Sequence, residues 1–171
     1  MSSKDNNLSS VQGHPLPSGK GLKISIAVSE WNSEITDSLL KACQEALIES
    51  GLDKDDIRLA RTPGAFELPF AAKTLIKNTN PDAVICLGCV IKGETRHDEY
   101  INSSVAMGIT QLSLATDIPV IFGVLTVESQ QQAIDRAGGQ YGNKGTESAH
   151  TALKMVQMKK SFAASKKKIG Y

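Results

Sequence analysis

The stretch Ala83-Val-Ile-Cys-Leu-Gly-Cys-Val-Ile91, running straight into Lys92-Gly-Glu-Thr-Arg-His97, decides the fold. The first part carries no charge and does not alternate polar with apolar residues. It therefore reads as a strand buried on both faces. Such a strand belongs to a parallel sheet with helices packed on each side. The next residues agree with this: a turn at Gly93, then Tyr100, Ile101, Val105, Ile109 and Leu112 spaced for a helix from about His97 to Thr116.

The same alternation of element types extends outward in both directions. Upstream, Leu22, Ile24, Ile26 and Val28 alternate as a strand. Asn32 and Ser33 are suited to cap a helix whose inner face is Ile35, Leu39, Cys43, Ala46 and Leu47, closed by Gly51. A strand over Ile57–Arg61 comes next, then a helix from about Glu67 to Lys77 with Pro69 in its first turn. Downstream come a strand over Val120–Thr126 and a short helix ending at Arg136-Ala137-Gly138. A last helix runs from near Asn143 to about Lys160, with Ala149, Leu153 and Val156 inward. Strand–helix alternation implies right-handed crossovers and an α/β fold with helices on both faces of a four-stranded parallel sheet. Ligands of such sheets bind beyond the carboxyl ends of the strands. Four polar segments come directly after strands and converge there: Ser29–Asn32, Thr62–Glu67, Lys92–His97, and the chain after Thr126. There is no internal repeat.

With 171 residues the chain suits one domain with a sizeable core, and its net charge of +1 gives no reason to expect nucleic acid or an acidic membrane as partner. No apolar run approaches the roughly 20 residues of a membrane span. The N-terminus lacks the basic-then-apolar layout of a secretory signal, and it carries Asp5 and no Arg, unlike a transit peptide. A cytoplasmic protein is expected, or an organellar one already trimmed. Residues 1–21, polar and dotted with Gly13, Pro15, Pro17 and Gly19, read as a flexible arm ahead of a domain over 22–160. Residues 161–171, with Lys166-Lys-Lys168, read as a solvated basic tail. Cys86-Leu-Gly-Cys89 has redox or zinc spacing, but along a strand the two thiols diverge, and no second ligand pair exists. Buried packing is the expectation for both, with no metal.

Several residues at the convergent edge can carry chemistry, each with a plainer alternative. Lys92-Gly93-Glu94-Thr95 opens a helix, where free N–H groups and the glycine's openness suit a phosphate; Thr95 with Asp98 could instead be a helix cap. His97 falls in the first helical turn, whose dipole disfavours imidazolium and suits a neutral, proton-accepting ring; the plainer alternative is a structural histidine. His14 lies in the arm and His150 in the last helix, so neither is a natural partner. In Thr62-Pro63-Gly64-Ala65-Phe66-Glu67, the tight turn leaves backbone open to a planar polar ring. Glu67 is there either a dipole partner or an acceptor for sugar-like hydroxyls. Trp31 either packs or stacks on a heteroaromatic ring. Arg136 either completes a helix end or clamps a phosphate. Gly138-Gly-Gln-Tyr-Gly-Asn-Lys-Gly145 is superficially similar to a P-loop but has no Gly-Lys-Ser/Thr triplet and comes after a helix.

From Leu22 to about Lys160 the chain resembles the lumazine synthases. The resemblance rests on Pro63-Gly-Ala-Phe-Glu-Leu-Pro69, Gly88-Cys-Val-Ile-Lys-Gly-Glu-Thr-Arg-His97, Phe122-Gly-Val-Leu-Thr126, Asp135-Arg-Ala-Gly-Gly139 and Gly142-Asn-Lys-Gly145. It implies a flavodoxin-like three-layer α/β/α sandwich assembled as pentamers, or as a sixty-subunit shell, with sites between neighbouring subunits. It implies the condensation of 5-amino-6-(D-ribitylamino)uracil with 3,4-dihydroxy-2-butanone 4-phosphate, without a cofactor. Trp31 would stack on the uracil, and the Gly64–Phe66 and Val90–Ile91 backbone would bond its edge. Glu67 would hold the ribityl chain, and Lys92-Gly93-Glu94-Thr95 the phosphate. Phe122, Arg136 and Lys144 would come from the neighbour, with Arg136 on the phosphate, and His97 would shuttle protons. Members often carry Phe where Trp31 stands, so retention of flavin-like products is a further expectation. A non-catalytic flavin or lumazine carrier on the same scaffold is the alternative, and it would need neither His97 nor Arg136.

Overall fold

A computed structural model describes residues 16–169, with side chains through position 165. The expected arm lies, up to residue 15, outside the described residues, as do the side chains of Lys166–Lys168. Where the chain enters the structure it is already tied down: Gly19 N–H donates to the Ser50 carbonyl at 2.8 Å.

The elements run in the order β1 (Ile24–Ser29), α1 (Ser33–Glu49), β2 (Ile57–Thr62), α2 (Leu68–Thr79), β3 (Ala83–Ile91), α3 (His97–Thr116) and β4 (Val120–Val127). Then come α4 (Gln130–Arg136), the short strands β5 (Ala137–Gly139) and β6 (Gly142–Asn143), and α5 (Lys144–Ile169). The main sheet is parallel in the order β2-β1-β3-β4, so β1 and β3 are central. This is a flavodoxin-like three-layer α/β/α arrangement.

The sheet separates two cores. On one side Ile24, Ile26, Val28, Ile85, Leu87 and Cys89 meet α1, α4 and α5 through Leu39, Leu47, Ala133 and Leu153. On the other, Ala27, Val84, Cys86 and Val124 meet α2 and α3 through Leu68, Ala72, Leu75, Val105 and Ile109. Cys86 and Cys89 thus face opposite layers, and burial pushes their thiols up to about 12 and about 11. All of β1 is buried, although its alternation suggests one wet face. Small residues, Ser25, Ala27 and Ser29, let the α2 layer press onto that face.

Several local readings change. Asn32 precedes α1 without capping it: its φ is 60° and its side chain makes no bond to the helix. Thr95 and Asp98 form no capping box, because α3 starts after Arg96 with no side-chain cap. The helix expected from about Glu67 is present as α2, with Pro69 its second residue, and a 3-10 turn, Ala65–Glu67, leads into it. The glycine-rich segment after α4 is a small antiparallel hairpin, Gly139 opposite Gly142, in which Gly138 and Gly142 have φ of 111° and 77°. Finally, α5 continues to Ile169, because Ser161-Phe-Ala-Ala-Ser-Lys-Lys-Lys contains nothing that breaks a helix.

Candidate active site

At the carboxyl edge of the sheet, β1 and β2 end together at Ser29 and Thr62, while β3 runs on to Ile91. The chain leaving β1 is stitched to the chain leaving β2: Glu30 N–H donates to Thr62 O at 2.8 Å and Trp31 N–H to Pro63 O at 3.1 Å. On the other side Asn32 Nδ2 donates to Cys89 O at 3.0 Å. Between them opens a cavity of about 510 Å³, within the usual range for small-molecule sites.

Its walls contain most of the residues expected from the sequence. Trp31, 72% exposed within the single chain, forms one side with Asn32. Gly64, Ala65, Phe66 and Glu67 form the second, and Val90 and Ile91 the floor beyond Cys89. Gly93, Thr95 and His97 complete the rim. The turn after β2 is held by Thr62 Oγ1 donating to Gly64 O at 3.0 Å and by Gly64 N–H donating to Glu67 Oε2 at 3.1 Å. One Glu67 oxygen is therefore partly committed to shaping the loop while the carboxylate faces the cavity. A Cβ placed on Gly93 would meet nothing within 4 Å. The space over that backbone is open, next to the first turn of a twenty-residue helix whose leading N–H groups can receive an anion. His97 is the first residue of that helix and is exposed. Asp98, Ile101 and Cys89 also line the cavity. Only position signals them: Asp98 adjoins His97, and Ile101 lies one turn further on the same face.

Other expected residues stand outside this lining. Lys92 pairs with Glu128 at 3.6 Å on the surface, and its N–H donates to Val127 O at 2.8 Å. Glu94 is exposed, and Phe122 is half-buried on β4 beside the α2/α3 core. Arg136 and Lys144 converge on Glu147, whose side chain is 2% exposed. Arg136 Nη2 lies 3.3 Å from Oε1 and Lys144 Nζ 3.1 Å from Oε2; Arg136 Nη1 also donates to Tyr141 O at 3.3 Å. Nothing in the sequence singles out Glu147, because an acid in a helix's first turn reads as a dipole partner. Among the described residues no Lys or Arg lines the cavity.

Among the described residues no three His, Cys, Asp or Glu side chains gather as metal ligands, and no helix is long and apolar enough to cross a membrane.

A family model described as 6,7-dimethyl-8-ribityllumazine synthase matches residues 21–160. Curated relatives agree over nearly their whole lengths. A protein of that name from Porphyromonas gingivalis is 48% identical over 160 residues, covering 94% of this chain and 99% of its own. One from Cytophaga hutchinsonii is 50% identical over 156 residues, covering 91% and 98%. One from Flavobacterium johnsoniae is 44% identical over 165 residues, covering 96% and 87%. Fold, cavity and sequence agree, and the chain belongs to the 6,7-dimethyl-8-ribityllumazine synthase family.

Proposed function

We propose that the chain serves riboflavin biosynthesis by making 6,7-dimethyl-8-ribityllumazine in this cavity. It joins 5-amino-6-(D-ribitylamino)uracil to 3,4-dihydroxy-2-butanone 4-phosphate and releases phosphate and water. The uracil's amine condenses with the ketone to an imine, phosphate leaves, and the second nitrogen closes the ring with loss of water. These steps run on holding two reactants together and moving protons.

One observation carries the assignment of roles: a flat aromatic wall, an open strand edge, a carboxylate and an anion-receiving helix start share one cavity. In this reading Trp31 stacks on the pyrimidine, and backbone at Gly64–Phe66 and Val90–Ile91 bonds its polar edge. Glu67 holds ribityl hydroxyls, and the Lys92–Thr95 turn takes the phosphate. His97 moves protons between the amine, the ketone and the leaving group. Among the described residues no Lys or Arg lines the cavity, and Lys92 pairs with Glu128 instead, which supports Arg136 and Lys144, with Phe122, arriving from a neighbouring copy. Exposed Phe66, Phe70, Tyr100, Met107 and Leu114 on the α2/α3 side supply apolar surface for that contact. The assembly is a pentamer or a larger shell of pentamers. The domain spans 22–160 with 161–171 as a basic extension, and the three buried free thiols suit a reducing cytoplasm.

The test mixes the two substrates with purified protein and follows lumazine absorbance, with Arg136→Ala and its melting temperature alongside. Product formation that slows in a folded Arg136→Ala supports both activity and clamp. Background rates with tight flavin binding would instead make the protein a carrier.

A further inference from the structure

We propose that Asn32 is a positioning residue that sets the spacing between the stacking wall at Trp31 and the hydrogen-bonding edge at Val90–Ile91; this rests on the substrate-binding roles proposed for Trp31, Val90 and Ile91. A residue ahead of a helix normally stays extended and turns its side-chain oxygen back to accept from the first amides. Asn32 does neither. It is left-handed, with φ 60° and ψ 48°, and makes no side-chain bond to α1. The other non-glycine residues with positive φ, Asn80 and Asp117, close the C-terminal ends of α2 and α3, where that conformation is at home. Among the described residues Asn32 alone opens a helix in it.

The unusual conformation places the side-chain amide against Cys89 O at 3.0 Å. The β1–β3 ladder runs only as far as Val28 opposite Leu87. Beyond that pair the strands part to make the cavity, and the Asn32 amide spans the gap where the next rung would be. Trp31, its chain neighbour, is fixed on the far side by the bond to Pro63 O. Along a strand, backbone groups two residues apart face the same side, so Ile91 turns its polar groups the way Cys89 does, now into open space. Asn32 therefore ends the ladder and marks where a planar ligand edge takes its place. It also locks that edge to the aromatic wall beside it. The donor matters as well as the reach: an acceptor here would face a carbonyl.

Two variants separate backbone from bond. Asn32→Gly adopts the left-handed conformation freely but loses the amide, and Asn32→Asp keeps the shape but replaces the donor with a carboxylate. Each substrate is varied in turn, and melting temperature is measured. The expected result is a KM for the ribitylamino-uracil raised about ten-fold in the glycine variant and further in the aspartate variant, as for a lost orienting hydrogen bond. The KM for the keto-phosphate stays near wild type. Quenching of the single tryptophan by product moves to correspondingly higher concentration. A wild-type uracil KM in Asn32→Gly overturns the proposal, as does a rise in both KM values together with a lower melting temperature, which marks a merely structural residue. If Asn32→Asp does not fold, the glycine variant decides alone. Wild-type protein that forms no lumazine defeats the functional reading itself, an outcome that the control distinguishes.

Discussion

Replacing Glu147 by Gln keeps the shape of the side chain and removes the one negative charge between Arg136 and Lys144. The carboxylate is 2% exposed, and its contacts are 3.3 Å to Arg136 and 3.1 Å to Lys144. At an effective dielectric near 20, each contact carries a Coulomb energy of about 5 kcal/mol before desolvation is counted. Orphaning one member of a buried pair costs roughly 3–5 kcal/mol. Here the two cations keep 15% and 27% of their side-chain surface in water, so both can rehydrate in part. The amide oxygen also still accepts one bond. The net loss is therefore set at about 2–3 kcal/mol, below that range. For a domain of this size it lowers the melting temperature by about 4–12 °C. Thermal unfolding at low and high ionic strength measures it, with Asp37→Asn as control. That substitution breaks the Arg61–Asp37 pair, 42% and 52% exposed, and should cost no more than about 1 kcal/mol, fading with salt. A Glu147→Gln protein that melts with the control refutes the argument that burial gives this cluster its weight.

Close packing, thiol burial and the aromatic wall each give a further expectation. A Cβ on Gly145 would lie 1.9 Å from the Leu39 carbonyl oxygen, backbone that cannot step aside, so Gly145→Ala forces α1 and α5 apart. It should lose about 3 kcal/mol, the upper end for overpacking, read from the denaturant midpoint; an unchanged midpoint would contradict it. Burial raises Cys43 and Cys86 from 9.0 to about 12 and Cys89 to about 11, whereas unfolded thiols ionise near 9.0. Their contribution is thus complete below pH 9.0 and is lost between pH 9.0 and the folded value, about 11 for Cys89 and about 12 for the other two, by about 1.4 kcal/mol per pH unit per thiol. Cys86→Ala should flatten this alkaline slope, and an unchanged slope between pH 9 and pH 11 would show that other groups set it. Trp31→Phe should weaken riboflavin binding about 2- to 10-fold, the worth of an aromatic contact, measured by quenching of flavin fluorescence. Equal affinity would mean that the larger ring does not retain flavins.

The sequence is most legible where one physical rule dominates. The bounds of β3 and α3 are set by an uncharged run, a glycine turn and a long 3.6-residue periodicity, with no competing signal. It is least legible where a side chain serves a distant element. Asn32 has every local mark of a helix cap, and the bond to Cys89, fifty-seven residues away, overrides that preference. The Arg136–Glu147 pair is hidden similarly, because a tight hairpin folds the end of α4 back onto the start of α5. The cavity residues are readable because parallel sheets gather their loops at one edge. Under the proposed function Arg136, Lys144 and Phe122 join that edge from a second copy, whose position no pattern within one chain encodes.

The central place of β3 also bears on how the chain is made. Residues 83–87 of the strand pair with β1 on one side, but its other edge waits for β4, which is complete only at Val127. At about 5–20 residues per second, the 36 residues from Lys92 through Val127 take roughly 2–7 s to synthesise. Throughout that interval a growing chain presents an uncharged, β-branched edge of the kind that seeds aggregation. Asp82 immediately before the run and Lys92 immediately after it are the nearest charges that can discourage such pairing, and replacing Lys92 by an apolar residue should show first as insoluble nascent protein.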